Sequence, residues 1–404
     1  MTRDIDVAKL ATDLVAIPSD PPRNPETGVA RFLKALFEQH GCPCVEIPSG
    51  LGKGRHDLLV SSHHIPRGDA ATPPGPWRPG DGLLFSAHMD VVPPGDPAAW
   101  DGGKLDPWID AGGFLHGRGA VDMKGGMAAF IAAFLDNLDA ITRTKTALIG
   151  LLFTVDEETS LAGARAFARS RHAAWFGKAI LPEPTGLQPV RGHKGVAFMR
   201  FTVTGKAAHG AVPDQGVNAI TIAMEMYKAI DAAFLATRAS RTHHVLGMPT
   251  MNLGTFSGGE KVNVVPSTCS FALDRRITPL ETPEQVVAGI EAVAMQHPLP
   301  PGASASHEVI NARPPYYLDD GHPFLREIVA LAGRPPATMN GYTEAGIFHG
   351  DARIPTIILG PGTIDEAHVA NEKVAVSDLA AAEKIYARIM MDHLDTHGRA
   401  GGKP

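Results

Sequence analysis

The sequence predicts an α/β protein that is built on a mostly parallel sheet and interrupted by a smaller α+β domain. Over residues 83–190, short apolar runs alternate with helical patterns, an order typical of a parallel sheet covered by helices on both faces. From residue 193 the order changes to β-α-β-β-α-β, the split ferredoxin-like arrangement. The first pattern resumes after a turn at 313–315. We therefore expect one discontinuous domain at 1–192 and 310–404, with a compact insertion at 193–309.

Composition and charge exclude several classes of protein. The chain has 404 residues, of which 44% are hydrophobic and 20% are charged, and these values exclude disorder as the main state. A net charge of −6 argues against a nucleic-acid partner bound through a basic face. The longest runs without a polar side chain are far shorter than the about 20 residues that a membrane span needs. The first residues show no secretory signal, and three cysteines fit a reducing compartment, so we expect a cytoplasmic protein.

Two amphipathic helices open the first domain. Apolar residues share one face over 7–17 and again over 29–37, and the prolines between these segments exclude a continuous helix. A second segment rich in proline and glycine, 61–82, predicts an exposed loop or hairpin tip. Beyond it, the apolar pattern predicts strands at 83–86, 147–155 and 179–181, and helices at 126–138 and from 162.

The insertion has its own regular pattern. Strands are predicted at 196–203, 250–256, 262–274 and 304–311, and helices at 217–232 and 283–296. A glycine-containing turn at 257–259 separates the second strand from the third. A strand at 354–359 and a last helix from Ser377 then complete the first domain.

Acidic residues and histidines follow the predicted strands of the first domain. The carboxyl ends of strands are where open α/β sheets bind their ligands. The residues concerned are His88 and Asp90 after the strand at 83–86, Asp122 on a glycine-rich turn, Glu157 and Glu158 after 147–155, Glu183 after 179–181, and His368 after 354–359.

Each of these features alone has an ordinary structural explanation, since a lone histidine or a short acidic loop is usually surface or turn chemistry. Together the acids would repel one another strongly without a compensating cation. Two histidines with several carboxylates form a ligand set typical of zinc, and two metals sharing one carboxylate would neutralise the cluster and activate a water. A carboxylate pair for glycoside hydrolysis would leave His88 and His368 unexplained.

Five sequence strings carry a resemblance to a known family. They are SAHMDVVPPGD, GRGAVDMKGG, DEETSLAGARAF, PEPTGLQPVRGHKG and GPGTIDEAH. In this order, and over essentially the whole chain, they resemble the dizinc deacylases and exopeptidases. That family includes acetylornithine deacetylase, succinyl-diaminopimelate desuccinylase, aminoacylase and glutamate carboxypeptidase, and the sequence is most similar to its acetylornithine deacetylase branch.

The resemblance implies a dizinc-peptidase-like catalytic domain whose inserted ferredoxin-like domain serves as lid and dimerisation domain, and hence a homodimer. It implies two Zn²⁺ ions, with Co²⁺ or Mn²⁺ as alternatives. His88 and Glu183 would bind one ion, Glu158 and His368 would bind the other, and Asp122 would bridge both.

The resemblance also assigns roles in the chemistry. Glu157 would be the general base that takes a proton from water and passes it to the leaving amine. Neighbouring residues at a strand end point to different sides, so Glu158 can face a metal while Glu157 faces the water. Asp90 would hydrogen-bond His88 and fix its tautomer.

Residues outside the metal cluster are assigned to the substrate. His209 would reach the active site of the partner subunit and contact the reacting carbonyl. Asn263 and Arg276 match positions that hold the substrate carboxylate, a task that suits the planar guanidinium fork, and Arg275 is the alternative to Arg276. Gly341 and Thr343 resemble the substrate loop of the family.

The predicted function is metal-dependent hydrolysis of the amide in a small N-acyl amino acid with a free carboxylate, N-acetylornithine being the leading candidate. A dipeptidase, carboxypeptidase or desuccinylase activity at the same site is the alternative. A metal-binding protein without catalysis is disfavoured, because Glu157 and all five ligands are present. Pro182, where the family usually has glycine, and the insert at 61–82 depart from the family pattern. A cationic substrate side chain would need an acidic partner, for which Glu344 is a candidate.

Overall fold

The computed structural model describes residues 5–52, 54–63 and 79–400. The chain divides into two compact units, and the first comprises Met1–Arg191, Leu318–Ala337 and Thr343–Pro404. The second unit comprises Gly192–Tyr317 and Thr338–Tyr342. Most of the predicted insert at 61–82 lies outside the described residues.

The elements before the second unit belong to the first unit. Its helices are α1 (Val7–Val15), α2 (Thr27–Gln39), α3 (Gly125–Asp136), α4 (Leu138–Arg143) and α5 (Ala162–Arg169). The strands are β1 (Cys44–Pro48), β2 (His56–Ser61), β3 (Gly82–His88), β4 (Trp108–Ile109), β5 (Phe114–His116), β6 (Ile149–Thr154), β7 (Phe176–Leu181) and β8 (Val190–His193). The chain passes from the first unit to the second within β8.

The second unit follows β8 and then returns to the first. Its elements are β9 (Gly195–Thr204), α6 (Ala219–Thr237), β10 (Thr250–Gly258), β11 (Thr268–Ile277), α7 (Pro283–Gln296), β12 (Ser304–Arg313) and β13 (Tyr316–Tyr317). The remaining elements are α8 (Pro323–Ala332), β14 (Ala337–Met339), α9 (Ala345–Gly350), β15 (Thr356–Ile358), β16 (Lys373–Ala375) and α10 (Val376–Ala400).

A sheet with parallel central strands organises the first unit. Its strands run in the order β1-β2-β6-β3-β7-β15, and β8 pairs with β15 through Val190. Strands β6, β3, β7 and β15 are mutually parallel, whereas β1 and β2 pair antiparallel at the edge. Every residue of β3 and β6 is buried, because strands covered on both faces need apolar side chains on both sides. This arrangement confirms the predicted α/β class.

The second unit has the predicted β-α-β-β-α-β order. Its four long strands form an antiparallel sheet in the order β10-β11-β9-β12. Apolar residues of β9, β11 and α6 form its core, in which the rings of Phe201 and Phe271 stack with centroids 5.1 Å apart. This unit therefore has its own hydrophobic core.

One predicted strand of the second unit is wrong in its extent. The apolar pattern predicts a strand at 262–274, but β11 begins only at Thr268. Val264 instead bridges to His209, and the Val265 N–H donates to the Ala208 carbonyl at 2.9 Å. Pro266 has no N–H to donate to a ladder, so the apolar run before it forms a turn against the 208–209 segment.

Among the described residues, none of the helices combines the length and apolar character that crossing a membrane would require.

The start of α3 packs closely on the end of β7. A Cβ atom added at Gly126 would lie 2.4 Å from the carbonyl oxygen of Pro182 and 2.8 Å from its Cβ. Atoms at such distances must move apart, so only glycine fits here without a shift of the helix or of the segment after β7.

We therefore expect Gly126→Ala to lower the free energy of unfolding by about 1–3 kcal/mol, the usual cost of overpacking. The measurement is urea unfolding followed by circular dichroism. Gly350→Ala is the matched control, because Gly350 also lies in a helix of the first unit and its added Cβ would meet nothing within 4 Å. Equal unfolding midpoints for the two variants would show that α3 can move away from Pro182 without a loss of stability.

Candidate metal centre

Three neighbouring strands deliver the predicted ligands to one edge of the sheet. β3 ends at His88, which pairs in register with Thr154 at the end of β6. Glu157 and Glu158 follow β6, and Glu183 follows β7. Because these strands are parallel, their carboxyl ends meet at the same edge.

Two further residues reach the cluster from loops. Asp122 lies in the irregular turn Ala120–Lys124 that leads into α3. His368 lies in the loop after β15 and has a left-handed backbone with φ 62°. That conformation is uncommon for a residue other than glycine, and here it belongs to a residue whose imidazole contacts the cluster.

The side chains form two ligand sets that share Asp122. One set is His88, Asp122 and Glu183, and the other is Asp122, Glu158 and His368; within each set, one possible ligand atom per residue lies within 4.8 Å of the others. Nε2 of His88 is 3.1 Å from Oδ1 of Asp122, and Nε2 of His368 is 3.1 Å from Oδ2. The two oxygens of one carboxylate thus face different sets, as a bridging ligand requires.

The remaining distances complete the two sets. Nε2 of His88 is 3.9 Å from Oε1 of Glu183, and Nε2 of His368 is 3.0 Å from Oε1 of Glu158. Imidazole and carboxylate groups are the donors that zinc takes in proteins, at about 2.0–2.2 Å from the ion. The donor set therefore fits divalent metal ions.

Charge in the cluster is strongly coupled. Burial opposes protonation of His88, but the hydrogen bond with Asp122 and the charge of Glu183 outweigh it and raise the histidine's pKa well above its ordinary value. Hydrogen bonds with Asp122 and Glu158 raise the pKa of His368 to about 10. Burial, followed by the charge of Asp122, raises the pKa of Glu183 well above its usual range. The cluster thus favours positive charge at its centre, which divalent cations would supply.

Glu157 lies beside these ligands and is 6% exposed. It also forms a third group of possible ligand atoms with His88 and Glu158, within the same 4.8 Å limit. Its carboxylate is therefore close enough to the metal sets to contact a water bound there.

Asp90 contacts His88 through its backbone. Nδ1 of His88 is 2.8 Å from the carbonyl oxygen of Asp90 and 3.8 Å from its carboxylate Oδ1. The carboxylate instead accepts the N–H groups of Glu157 and Glu158, at 3.1 and 3.0 Å. A backbone carbonyl can fix the histidine tautomer as well as a carboxylate can, and the carboxylate orients the turn that carries two other site residues.

The two arginines of β11 have different environments in the second unit. Arg275 is 2% exposed and donates to Glu281 at 2.7 Å, with its guanidinium 4.8 Å from the ring centroid of Phe234. Arg276 has a side chain 28% exposed and pairs with Asp274 at 2.9 Å. Of the two, Arg276 therefore has the more exposed side chain, which favours it as a partner for a substrate carboxylate.

His209 and Asn263 come from two segments that lie against each other. Both residues are exposed, and the N–H of Gly210 donates to the Asn263 carbonyl at 2.8 Å. Nδ1 of His209 accepts the N–H of Ala211 at 3.1 Å. The ring is thus held by its own turn through one nitrogen, and the two predicted substrate residues share one surface of the second unit.

The predicted substrate loop is divided between the units. Thr343 belongs to the first unit, where its Oγ1 accepts the N–H of Ala345 at 3.1 Å at the start of α9. Gly341 belongs to the second unit, next to Tyr342. Glu344 is 1% exposed, and burial together with the charge of Glu157 raises its pKa well above its usual range. Its carboxylate is therefore not exposed to solvent, where a substrate cation would approach it.

A stack of aromatic and cationic groups around Tyr342 was not predicted from the sequence. The guanidinium carbons of Arg313 and Arg276 lie 4.2 and 5.8 Å from the centroid of its ring. The ring of Phe198 meets it edge-on with centroids 6.4 Å apart. Cation–π contacts of this kind stabilise both partners, and no local spacing in the sequence joins these residues.

Comparison with known proteins agrees with this geometry. Residues 84–392 match peptidase family M20/M25/M40. Acetylornithine deacetylase of Proteus mirabilis (strain HI4320) is 33% identical over 317 residues, which cover 76% of this chain and 79% of that protein.

Two solved structures have the same fold. One is an M20 family metallo-carboxypeptidase, Sso-CP2 from Sulfolobus solfataricus, with TM-score 0.76 and 17% identity over 97% of this chain and all of that one. The other is a tripeptidase from Staphylococcus aureus, with TM-score 0.72 and 20% identity over 98% of this chain and all of that one. The match to most of the chain and the deacetylase relatives show that the chain belongs to peptidase family M20/M25/M40, and it is a metal-dependent hydrolase of amide bonds.

Proposed function

We propose that this protein removes the acyl group from a small N-acyl amino acid, with N-acetylornithine as the leading substrate. The observation that carries the proposal is the placement of Asp122 between two ligand sets, with Glu157 alongside. The similarity to acetylornithine deacetylases supports a deacylase over the peptidases that share the fold.

The proposed ligands are His88 and Glu183 for one ion, Glu158 and His368 for the other, and Asp122 for both. When bound, two divalent cations, Zn²⁺ in our proposal with Co²⁺ or Mn²⁺ as alternatives, would lower the pKa of a water and polarise the scissile carbonyl. Glu157 accepts the proton from the attacking water and later donates it to the nitrogen of the leaving amine.

Residues of the second unit hold the substrate in this proposal. Arg276 and Asn263 bind the free carboxylate, and the greater side-chain exposure of Arg276, 28% against 2% for Arg275, supports this choice. Gly341 of the second unit and Thr343 of the first unit belong to the substrate loop in this proposal. Asp274 takes Nε and Nη2 of Arg276 at 2.9 and 3.0 Å, and the substrate carboxylate in this proposal pairs with the remaining edge of the guanidinium, which includes Nη1.

We also propose that the second unit is the lid and dimerisation domain of a cytoplasmic homodimer. His209 would donate to the reacting carbonyl in the active site of the partner subunit. Its exposure, and the occupation of only Nδ1 by its own turn, support a role in which Nε2 contacts another molecule.

The first experiment measures amine release from N-acetyl, N-succinyl and dipeptide substrates by protein stripped of metal and then reloaded with zinc. We expect no turnover by the stripped protein and fastest turnover of N-acetylornithine by the reloaded one. Preference for dipeptides or succinyl groups would assign the same site to the alternative activities. Turnover that survives chelation would contradict the proposed metal chemistry.

The second experiment separates the base from the ligand next to it. We expect Glu157→Gln to retain two metal ions per chain and to lose about 10²- to 10⁴-fold in kcat, the usual contribution of a general base. Glu158→Gln should bind fewer metal ions, because one donor of the second set is weakened. Metal content measured by inductively coupled plasma mass spectrometry shows which of the two residues is a metal ligand. Loss of metal from Glu157→Gln alone would mean that Glu157 is the ligand and Glu158 the base.

The third experiment tests the action of His209 across the dimer. Glu157→Gln and His209→Ala should each be nearly inactive alone. After unfolding and refolding of an equal mixture, heterodimers contain one complete site, so about a quarter of the wild-type activity should return. Light scattering gives the oligomeric state, and a mixture as inactive as its components would place His209 in the active site of its own chain or outside the chemistry.

A further inference from the structure

The turn that carries Glu157 and Glu158 is held by carboxylates from three other segments. The N–H of Val155 donates to Asp57 at 3.1 Å, and that of Asp156 donates to Glu26 at 3.0 Å. The next two N–H groups donate to Asp90. Four consecutive backbone donors, 155–158, thus bind three acids that are each 0% exposed.

The guanidinium of Arg55 binds two of the acidic residues in this turn and its surroundings, Glu26 and Asp156. Its Nε and Nη2 donate to the two oxygens of Glu26 at 2.7 and 2.5 Å, and Nη2 also donates to Oδ1 of Asp156 at 2.9 Å. The Glu26 carboxylate is fully buried, and the Arg55 side chain is only 17% exposed. Burial of a carboxylate is costly unless the group is paired, and this one accepts two hydrogen bonds from the guanidinium.

The backbone at Asp156 depends on these contacts. Its φ of 68° lies in the left-handed region, which residues other than glycine rarely adopt. Its side chain is held from two sides, since Oδ1 accepts from Arg55 while Oδ2 accepts from the Ser160 hydroxyl. A conformation of this kind persists when the surrounding structure fixes it, and Arg55 and Glu26 supply much of that fixation.

We propose that Arg55, acting through Glu26 and Asp156, is a positioning residue that sets the directions in which Glu157 and Glu158 leave the main chain. This inference rests on the roles proposed above for those two residues. The alternative is that the Arg55–Glu26 pair only stabilises the fold. In that case, removing it would lower the melting temperature without changing turnover by the folded, metal-loaded enzyme.

The test compares Arg55→Met with Arg55→Lys, which keeps the charge but not the fork. Lys178→Met is the matched control, because Lys178 forms another partly buried ion pair of the first unit, with Glu327 at 2.6 Å. For zinc-loaded protein we expect Arg55→Met to lose about 100-fold in kcat, the typical cost of misplacing a reacting group by about 1 Å. KM should change much less, Arg55→Lys should be intermediate, and Lys178→Met should match the wild type.

Two readouts do not depend on activity. Hydrogen exchange of the amides at 155–158, followed by mass spectrometry, should be faster in Arg55→Met than in Lys178→Met, and both variants should bind two metal ions. An unchanged kcat, or unchanged exchange in folded Arg55→Met, would overturn the inference. If Arg55→Met does not fold, Glu26→Gln is measured in the same way, because it keeps the size and one acceptor oxygen.

Failure of this inference is distinguishable from failure of the proposed function. If the wild type released amine from no substrate of the panel, the proposed function would be contradicted. The exchange measurement would still decide whether Arg55 fixes the turn, and equal exchange in Arg55→Met and Lys178→Met would contradict the positioning role alone.

Discussion

The structure depends on compensating negative charge at one edge of a buried sheet. Glu158 and Glu183 after strands β6 and β7, and Asp122 in the turn before α3, lie where little water can solvate them. Carboxylates this close cannot all remain ionised without positive charge among them. His88 and His368 contact Asp122 from either side, and metal ions bound to the two sets would bring the larger compensation. Much of the surrounding chain serves to hold these groups in place.

Backbone groups perform much of that holding. The Asp90 carbonyl fixes His88, while its carboxylate accepts two N–H groups of the turn after β6. Glu372, in the same way, accepts the N–H groups of Val121 and Asp122 at 2.9 and 3.1 Å. An acid that accepts hydrogen bonds from successive backbone N–H groups fixes the geometry of that main chain. The positions of the candidate site residues therefore depend on buried acids that do not belong to the ligand sets.

Local rules were enough to predict the fold class and the proximity of the five side chains that we propose as metal ligands. Strands and helices alternate along the sequence, and the acids and histidines come after the strands. The structure differs from the sequence prediction where contacts between distant residues determine the local conformation. One example is the turn before β11, which pairs with the 208–209 segment. No local spacing relates Arg55 to Glu26 and Asp156, or Tyr342 to Arg276 and Arg313, because ion pairs and ring contacts across a fold leave no periodic signal.

The contacts of Arg55 extend the part of the chain that shapes the candidate site. The family match begins at residue 84, but Glu26, Arg55 and Asp57 all precede that residue and bind the turn after β6. A polypeptide limited to the recognisable segment would retain every proposed ligand and still lack three groups that shape their surroundings. If Arg55 positions the turn as we propose, the first two helices and strands contribute to the geometry of the site, and the functional unit extends beyond the matched segment.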